Sequence, residues 1–332
     1  MKRTSKLFAY IIVFVLAFSL LCACSGSGAA DGGTGGGTNG IVADTGSDVS
    51  EAVTVPDSSG MFTDADKTPS YDAASAVAIS IDGGAVTADS DTVSALGGKA
   101  TITEPGTYIV SGSGSNVTII VDVPSAITEK VRLVLSGASI VNDDFAAIYI
   151  KSADKTFIVL EGENSLAVTG SFAAIDYNKV DGVIFAKDNV VLQGEGSLTI
   201  TSSKHGIVGK DDVKITGGTI SVTAANHGIE ANDSVRVASA SLTIVSNKNG
   251  IHVENTYDAT KGYFYMESGS LKITSGYEGI DASGAVEITG GTTDITSGDG
   301  SGKTLSSSDV LTKGVKSSAD ILISGGEVST TD

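Results

Sequence analysis

Ser197-Leu-Thr-Ile-Thr-Ser-Ser-Lys-His-Gly-Ile207, Thr219-Ile-Ser-Val-Thr-Ala-Ala-Asn-His-Gly-Ile229 and Ser241-Leu-Thr-Ile-Val-Ser-Asn-Lys-Asn-Gly-Ile251 are three copies of one pattern, set 22 residues apart. Three sets of markers keep that step independently: Leu198, Ile220 and Leu242; Ile207, Ile229 and Ile251; Val213 and Val235. Each copy holds three short alternating segments, such as Leu198 to Ile200, Ile207-Val208 and Val213 to Ile215, separated by turns rich in Gly, Asn, Asp and Ser. No segment has helical length or period. Like strands recurring at a fixed step predict a parallel β-helix, a solenoid whose coils stack about 4.8 Å apart. Leu198 and Ile200 then face inward and Thr199 outward. A sandwich or barrel also uses short strands, but gives no reason for three markers to hold one phase.

Stacked Ile207, Ile229 and Ile251 would form an aliphatic ladder worth about 1.5–3 kcal/mol per buried side chain. Gly206, Gly228, Gly250 and Gly279 precede the ladder residue, and the pattern predicts φ > 0 there, in a tight corner. Further copies run through Leu271 with Ile280 and Thr293 with Val315, displaced by insertions at 257–262 and 298–311. The final Gly325-Gly-Glu-Val-Ser-Thr-Thr-Asp332 reads as the opening strand of a coil with no Gly-Ile corner after it, so the last coil looks incomplete.

Working outward, residues 71–332 make the repeat domain. Before it, Lys2, Arg3 and Lys6 precede an apolar run from Leu7 to Leu21 that is too short to span a bilayer comfortably and reads as a signal peptide over 1–23. Leu21-Cys22-Ala23-Cys24 resembles the lipobox of bacterial lipoproteins, which makes Cys24 the expected lipidation site and the chain extracytoplasmic, held to the bacterial cell membrane by that anchor alone. Residues 24–70, rich in Gly, Ser and Asp and without apolar period, are expected to be a disordered tether.

Among 332 residues there are 42 Gly, no Trp and only 18 Phe plus Tyr, so small and β-branched side chains must fill the core. Lys plus Arg number 21 against 39 Asp plus Glu, which excludes a nucleic-acid partner in need of a basic stripe. Ser297-Gly-Asp-Gly-Ser-Gly-Lys303-Thr304 comes close to a phosphate loop, but it has Ser297 at the first glycine position and no helix after it, so no nucleotide is expected. Both cysteines fall in the first 24 residues, leaving the repeat without disulfides or thiolate ligands.

Residues 71–332 resemble a family of secreted bacterial carbohydrate-binding domain-containing proteins. The resemblance is carried by Ile102-Thr-Glu-Pro-Gly-Thr-Tyr-Ile-Val-Ser-Gly112, Val131-Arg-Leu-Val-Leu-Ser-Gly-Ala-Ser-Ile140, Ala146-Ala-Ile-Tyr-Ile-Lys-Ser-Ala-Asp154, the recurring Gly-Ile pairs, and the Ile-Thr-Gly-Gly-Thr units at 215–219 and 288–292. It implies an all-β, single-stranded right-handed parallel β-helix of about 22 residues per coil, similar to that of polysaccharide lyases. It also implies bound Ca²⁺ and binding of polysaccharides such as cellulose and pectin, without an assigned catalytic activity. The family often writes Asp-Gly-Ile at the corner, whereas this chain has His205, His227, Asn249 and Glu278 before the glycine. Ca²⁺ wants hard oxygen ligands, which weakens a calcium site in that column.

A second turn column keeps its acids: Asp188, Asp211 with Asp212, and Asp233, followed by Glu254-Asn255. Carboxylates about 5 Å apart repel by about 0.8 kcal/mol in bulk water and several-fold more at a protein surface. Asp188, Asp211, Asp212 and Asp233 are therefore candidate Ca²⁺ ligands, with Asx turns satisfying their own backbone as the alternative. Asp176, Tyr177 and Asp181 on the 162–181 insertion, and Tyr263 and Tyr265 near 257, are candidate sugar contacts, with loop packing as the alternative. His205 and His227 fall one coil apart, but Asn249 comes next, and they are expected to be corner residues rather than Zn²⁺ ligands. Lys187 and Lys210 adjoin Asp188 and Asp211, which favours their ammonium form and opposes a role as the base of a lyase. The reading is a surface-tethered, calcium-assisted polysaccharide-binding protein, with a calcium-dependent lyase or a cell-surface adhesion protein as alternatives.

Overall fold

A computed structural model describes residues 58–298 and 312–331. The expected signal peptide, Cys24, most of the tether and residues 299–311 of the last insertion lie outside the described residues. What is described is almost entirely short strands in two sheets of parallel pairs, a β-helix-like stack.

The markers stack as their spacing requires. Ile207 pairs with Ile229 and Ile229 with Ile251, while Leu198, Ile220 and Leu242 form a second column and Val213 and Val235 a third, all between parallel strands. In Ser197–Ser202, Leu198 and Ile200 are buried while Thr199 and Thr201 are exposed. Insertions leave the columns intact: Ile251 pairs with Ile280 and Ile280 with Val315. Aliphatic residues from Ile79 to Ile295 thus form one continuous core. At the N-terminal end, two antiparallel pairs, Val77–Gly83 with Ala85–Ala88 and Val93–Leu96 with Lys99–Ile102, adjoin the first parallel strands.

The corner glycines correct one expectation. Gly206, Gly228, Gly250 and Gly279 do not take positive φ. They are needed because the next coil passes too close for a side chain. A Cβ on Gly228 would sit 2.3 Å from Ile244 Cγ2 and 2.7 Å from the Gly250 carbonyl oxygen. Positive φ falls instead before the first strand of each coil, as at Gly218 (81°) and Gly291 (85°).

The tether boundary is also corrected. Residues 58–70 are ordered and lie as a strap over the third strand of successive coils. Thr63 opens the one-turn helix Asp64–Lys67 with a reciprocal cap to Asp66. Asp66 is fully buried and accepts from Lys155 Nζ at 2.9 Å and Lys214 Nζ at 2.7 Å. The Met61 carbonyl accepts from Arg236 Nη1 at 2.8 Å, and Lys67 pairs with Glu267 at 2.7 Å. A polar, aperiodic stretch gives no local sign of order; these long-range ion pairs supply it.

Candidate functional site

The acidic turn column forms in part. Burial first, then the Asp233 and Asp188 carboxylates, push Asp211 up to about 6, so the three acids lie within electrostatic reach of one another. Each neighbour is already engaged. Asp188 accepts from the Ala153 amide at 3.0 Å, and Asp233 accepts from Asn255 Nδ2 at 3.0 Å and Lys261 Nζ at 2.7 Å. Asp212 turns the other way, accepting from Ser234 Oγ at 2.6 Å and Arg236 Nη2 at 3.0 Å. Lys261, from the 257–262 insertion, supplies a cation to the column, and Asp233 in turn holds its ammonium in the charged form. Of the four candidate ligands, Asp188, Asp211 and Asp233 share a neighbourhood without being gathered closely enough to share an ion as they stand, and Asp212 does not join it.

The predicted sugar contacts separate. Tyr177 is 85% exposed on the insertion loop. Its neighbour Asp176 accepts from Tyr149 Oη at 2.5 Å and from the Asn178 amide at 2.8 Å. Burial works against the Asp176 charge, but these donors outweigh it and hold the carboxyl below its usual range. Asp181 is paired with Lys204 at 2.7 Å. Tyr263 and Tyr265 are not on the insertion loop but in the strand Tyr263–Met266, 5% and 2% exposed. They lie beneath the strap, Tyr263 bonding Met61 Sδ and Tyr265 tilted against Phe62, so burial takes both out of reach of a ligand.

One feature went unread in the sequence and a second was read only in part, since the spacing places His205 and His227 one coil apart without His252 or Glu230. Where the strap ends, Tyr71, Glu161, Gly162, Glu163, Gly194, Glu195 and Thr219 line a cleft of about 630 Å³. Tyr71 Oη donates to Glu161 Oε1 at 2.5 Å, and this bond, with burial behind it, pushes the phenol up to about 12. Tyr71, the first residue after the strap, supplies the aromatic wall of the cleft, and Pro69 of the strap lines it too.

The second feature is a histidine column. His205 stacks on His227 with ring centroids 5.2 Å apart, and His227 on His252 at 4.8 Å. His252 enters from the neighbouring register position, where it pairs with Glu230. The alternation in Ile251-His252-Val253 and Ile229-Glu230-Ala231 was the available signal, because both central residues must point outward. Burial, then the His252 and His205 charges, bring His227 down to about 4, and burial lowers His205 as well. Asp281, 3.4 Å from Nδ1, raises His252. Among the described residues, His205, His227 and Glu230 are the only set of three or more His, Cys, Asp or Glu donors gathered closely enough to share an ion.

The sequence pattern of carbohydrate-binding domain-containing proteins matches residues 96–332. The chain belongs to that family. A carbohydrate-binding domain-containing protein of Acetivibrio thermocellus is 42% identical over 192 residues, covering 56% of this chain and 66% of the relative's own length. A solved polysaccharide lyase-like protein from C. thermocellum, in its gadolinium derivative, is similar at 32% identity with a TM-score of 0.68, covering 76% of this chain and 99% of that one. This carbohydrate-binding family membership agrees with the resemblance carried by the motifs at 102–112 and 131–140, and with parallel strands in register.

Proposed function

We propose that the protein is a surface-tethered, calcium-assisted polysaccharide-binding protein, a right-handed single-stranded β-helix that holds a glycan in the cleft beside Tyr71. The cleft carries the reading: about 630 Å³, walled by Tyr71 and three glutamates, Glu161, Glu163 and Glu195. That size lies within the range of ligand pockets, roughly 300–1,000 Å³. A tyrosine ring offers an apolar face to the C–H side of a sugar, and carboxylates accept from its hydroxyls. A neutral glycan needs nothing more. An acidic one, such as pectin, meets these glutamates and a chain of net charge −18, and needs a divalent cation between them. Asp188, Asp211 and Asp233 would have to draw closer than they stand, with Lys261 released from Asp233, to hold Ca²⁺, and the ion would then supply the positive charge. Cys24 would carry the lipid that keeps the domain at the cell surface.

Binding rather than cleavage is the reading because Lys210, the lysine beside Asp211, is committed to Glu230 at 3.2 Å. Retention of the purified chain on cellulose and on polygalacturonate, with Ca²⁺ and with EDTA, tests it. Tyr71→Ala should lower retention at least tenfold with the circular dichroism unchanged, and EDTA should release only the acidic glycan. No retention on any glycan, or full retention by Tyr71→Ala, overturns it, and a rise in ultraviolet absorbance from unsaturated products would replace binding by lyase activity.

A further inference from the structure

The corner where the coil of His205 meets the coil of His227 and Glu230 has a donor set that neither the acidic column nor the cleft uses. His205 opens the strand His205–Gly209, and Glu230 is the central, outward residue of Ile229–Ala231. One donor atom from each of His205, His227 and Glu230 lies within 4.8 Å of the others. His205 is only 6% exposed, and its Nδ1 has no hydrogen-bond partner. It points at Glu230 Oε2, 3.4 Å away. Buried nitrogens are nearly always partnered, so this one calls for an explanation.

Metal geometry provides it. Zinc binds imidazole nitrogen at about 2.0–2.1 Å and carboxylate oxygen at about 2.0–2.2 Å, so tetrahedral ligands lie about 3.3 Å apart. The His205 to Glu230 edge already has that length. The other nitrogen of His205, which would carry the proton, faces the acceptor Asp181 Oδ2 at 3.8 Å, the kind of carboxylate that orients a ligating imidazole, while Asn226 Nδ2 at 3.5 Å is a donor and would have to turn away. His227 is less ready. Its Nδ1 accepts from the Asn249 amide at 3.2 Å, so this ring must release that N–H or turn over in order to ligate. Asn249 Oδ1 is a second buried atom without a partner at the same corner. Lys210 and Lys204 sit at the rim, held by Glu230 and Asp181. Two imidazoles and one carboxylate suit Zn²⁺, Co²⁺ or Ni²⁺ and suit Ca²⁺ poorly, since calcium takes oxygen.

We propose that His205, His227 and Glu230 bind one zinc-class divalent ion that clips two adjacent coils together, leaving a fourth position to water. The site is separate from the glycan cleft, and its test does not depend on glycan binding.

The test uses the full chain dialysed against ZnCl2, with bound metal measured by mass spectrometry and titration calorimetry. The wild type should hold one zinc more per chain than either His205→Ala or Glu230→Gln, and that zinc should raise the melting temperature of the wild type alone. Co²⁺ should give visible absorption bands of a tetrahedral centre, and the Asn249 amide resonance should shift as zinc is added. Glu230→Gln preserves shape, so it decides the matter if His205→Ala fails to fold. Equal zinc content in the wild type and the folded variants overturns the proposal, as does displacement of the extra zinc by equimolar Ca²⁺.

Discussion

Asp66 and Lys214, 148 residues apart in the chain, meet at 2.7 Å beneath the strap, and Asp66 is fully shielded from water. Lys155 approaches the other oxygen at 2.9 Å. Removing the carboxylate leaves two ammonium groups against a closed surface, one of them nearly buried. Asp66→Ala should therefore cost about 3–5 kcal/mol, read as a fall in the urea midpoint, and should open Tyr263 and Tyr265 to quenchers. A midpoint equal to wild type would mean that the strap contributes nothing to the fold.

The same carboxyl gives a pH dependence. Burial works against its charge, but the Lys214 and Lys155 bonds and the Thr63 amide outweigh it and bring Asp66 from 3.8 down to about 2. A lowered folded value means that the stabilisation is complete above about 4 and is lost as pH falls toward 2, by about 2 kcal/mol. Lys214 is pushed down by its own burial, so its charged form offsets part of the gain at neutral and acid pH, a cost relieved only as pH rises through its folded value. Unfolding followed between pH 5 and pH 2 should lose this increment in the wild type and not in Asp66→Asn.

Asp211 has the opposite sign. Its folded value is raised from 3.8 to about 6, so the ionised form weighs against folding, and stability should rise as pH falls from 7 toward 4. Because the group is partly exposed, we discount the effect to about 1 kcal/mol. Without calcium, Asp211→Asn should raise the melting temperature at pH 7.5. With calcium the order should reverse, because the variant lacks a ligand. A variant less stable than wild type in EDTA would show that the acidic column carries no strain to relieve.

Gly228→Ala tests the close approach of neighbouring coils. The added methyl meets Ile244 Cγ2 at 2.3 Å and a backbone oxygen at 2.7 Å, and neither can retreat without parting two coils. The cost should be about 1–3 kcal/mol, measured by denaturant unfolding. Gly60→Ala, with nothing within 4 Å of the new carbon, should stay within about 0.5 kcal/mol of wild type.

The stacking of Ile207, Ile229 and Ile251 was legible because a repeated core leaves the same residue at the same phase in every coil. The acidic column was half legible: spacing brought Asp188, Asp211 and Asp233 together, but could not show that Asp212 pairs with Arg236 or that Lys261 arrives from an insertion. The strap was not legible, since its order comes from partners such as Lys214 and Glu267, far along the chain. Tyr265 was misplaced for the same reason: in the text it adjoins a loop, while in space it lies under Phe62. His252 escaped because it is out of phase with His205 and His227 in the repeat and joins their stack only through the width of the corner.

The strap runs along the stack, touching Tyr263 near Met61, then Lys214 and Lys155 through Asp66, and Glu161 through Tyr71. Five successive rungs, from 155–161 to 263–266, are bridged lengthwise by one short segment. A pull applied upstream of residue 58 therefore enters in shear, loading several ion pairs at once instead of peeling one rung at a time. The strap is thus a longitudinal brace that resists separation of the rungs it crosses.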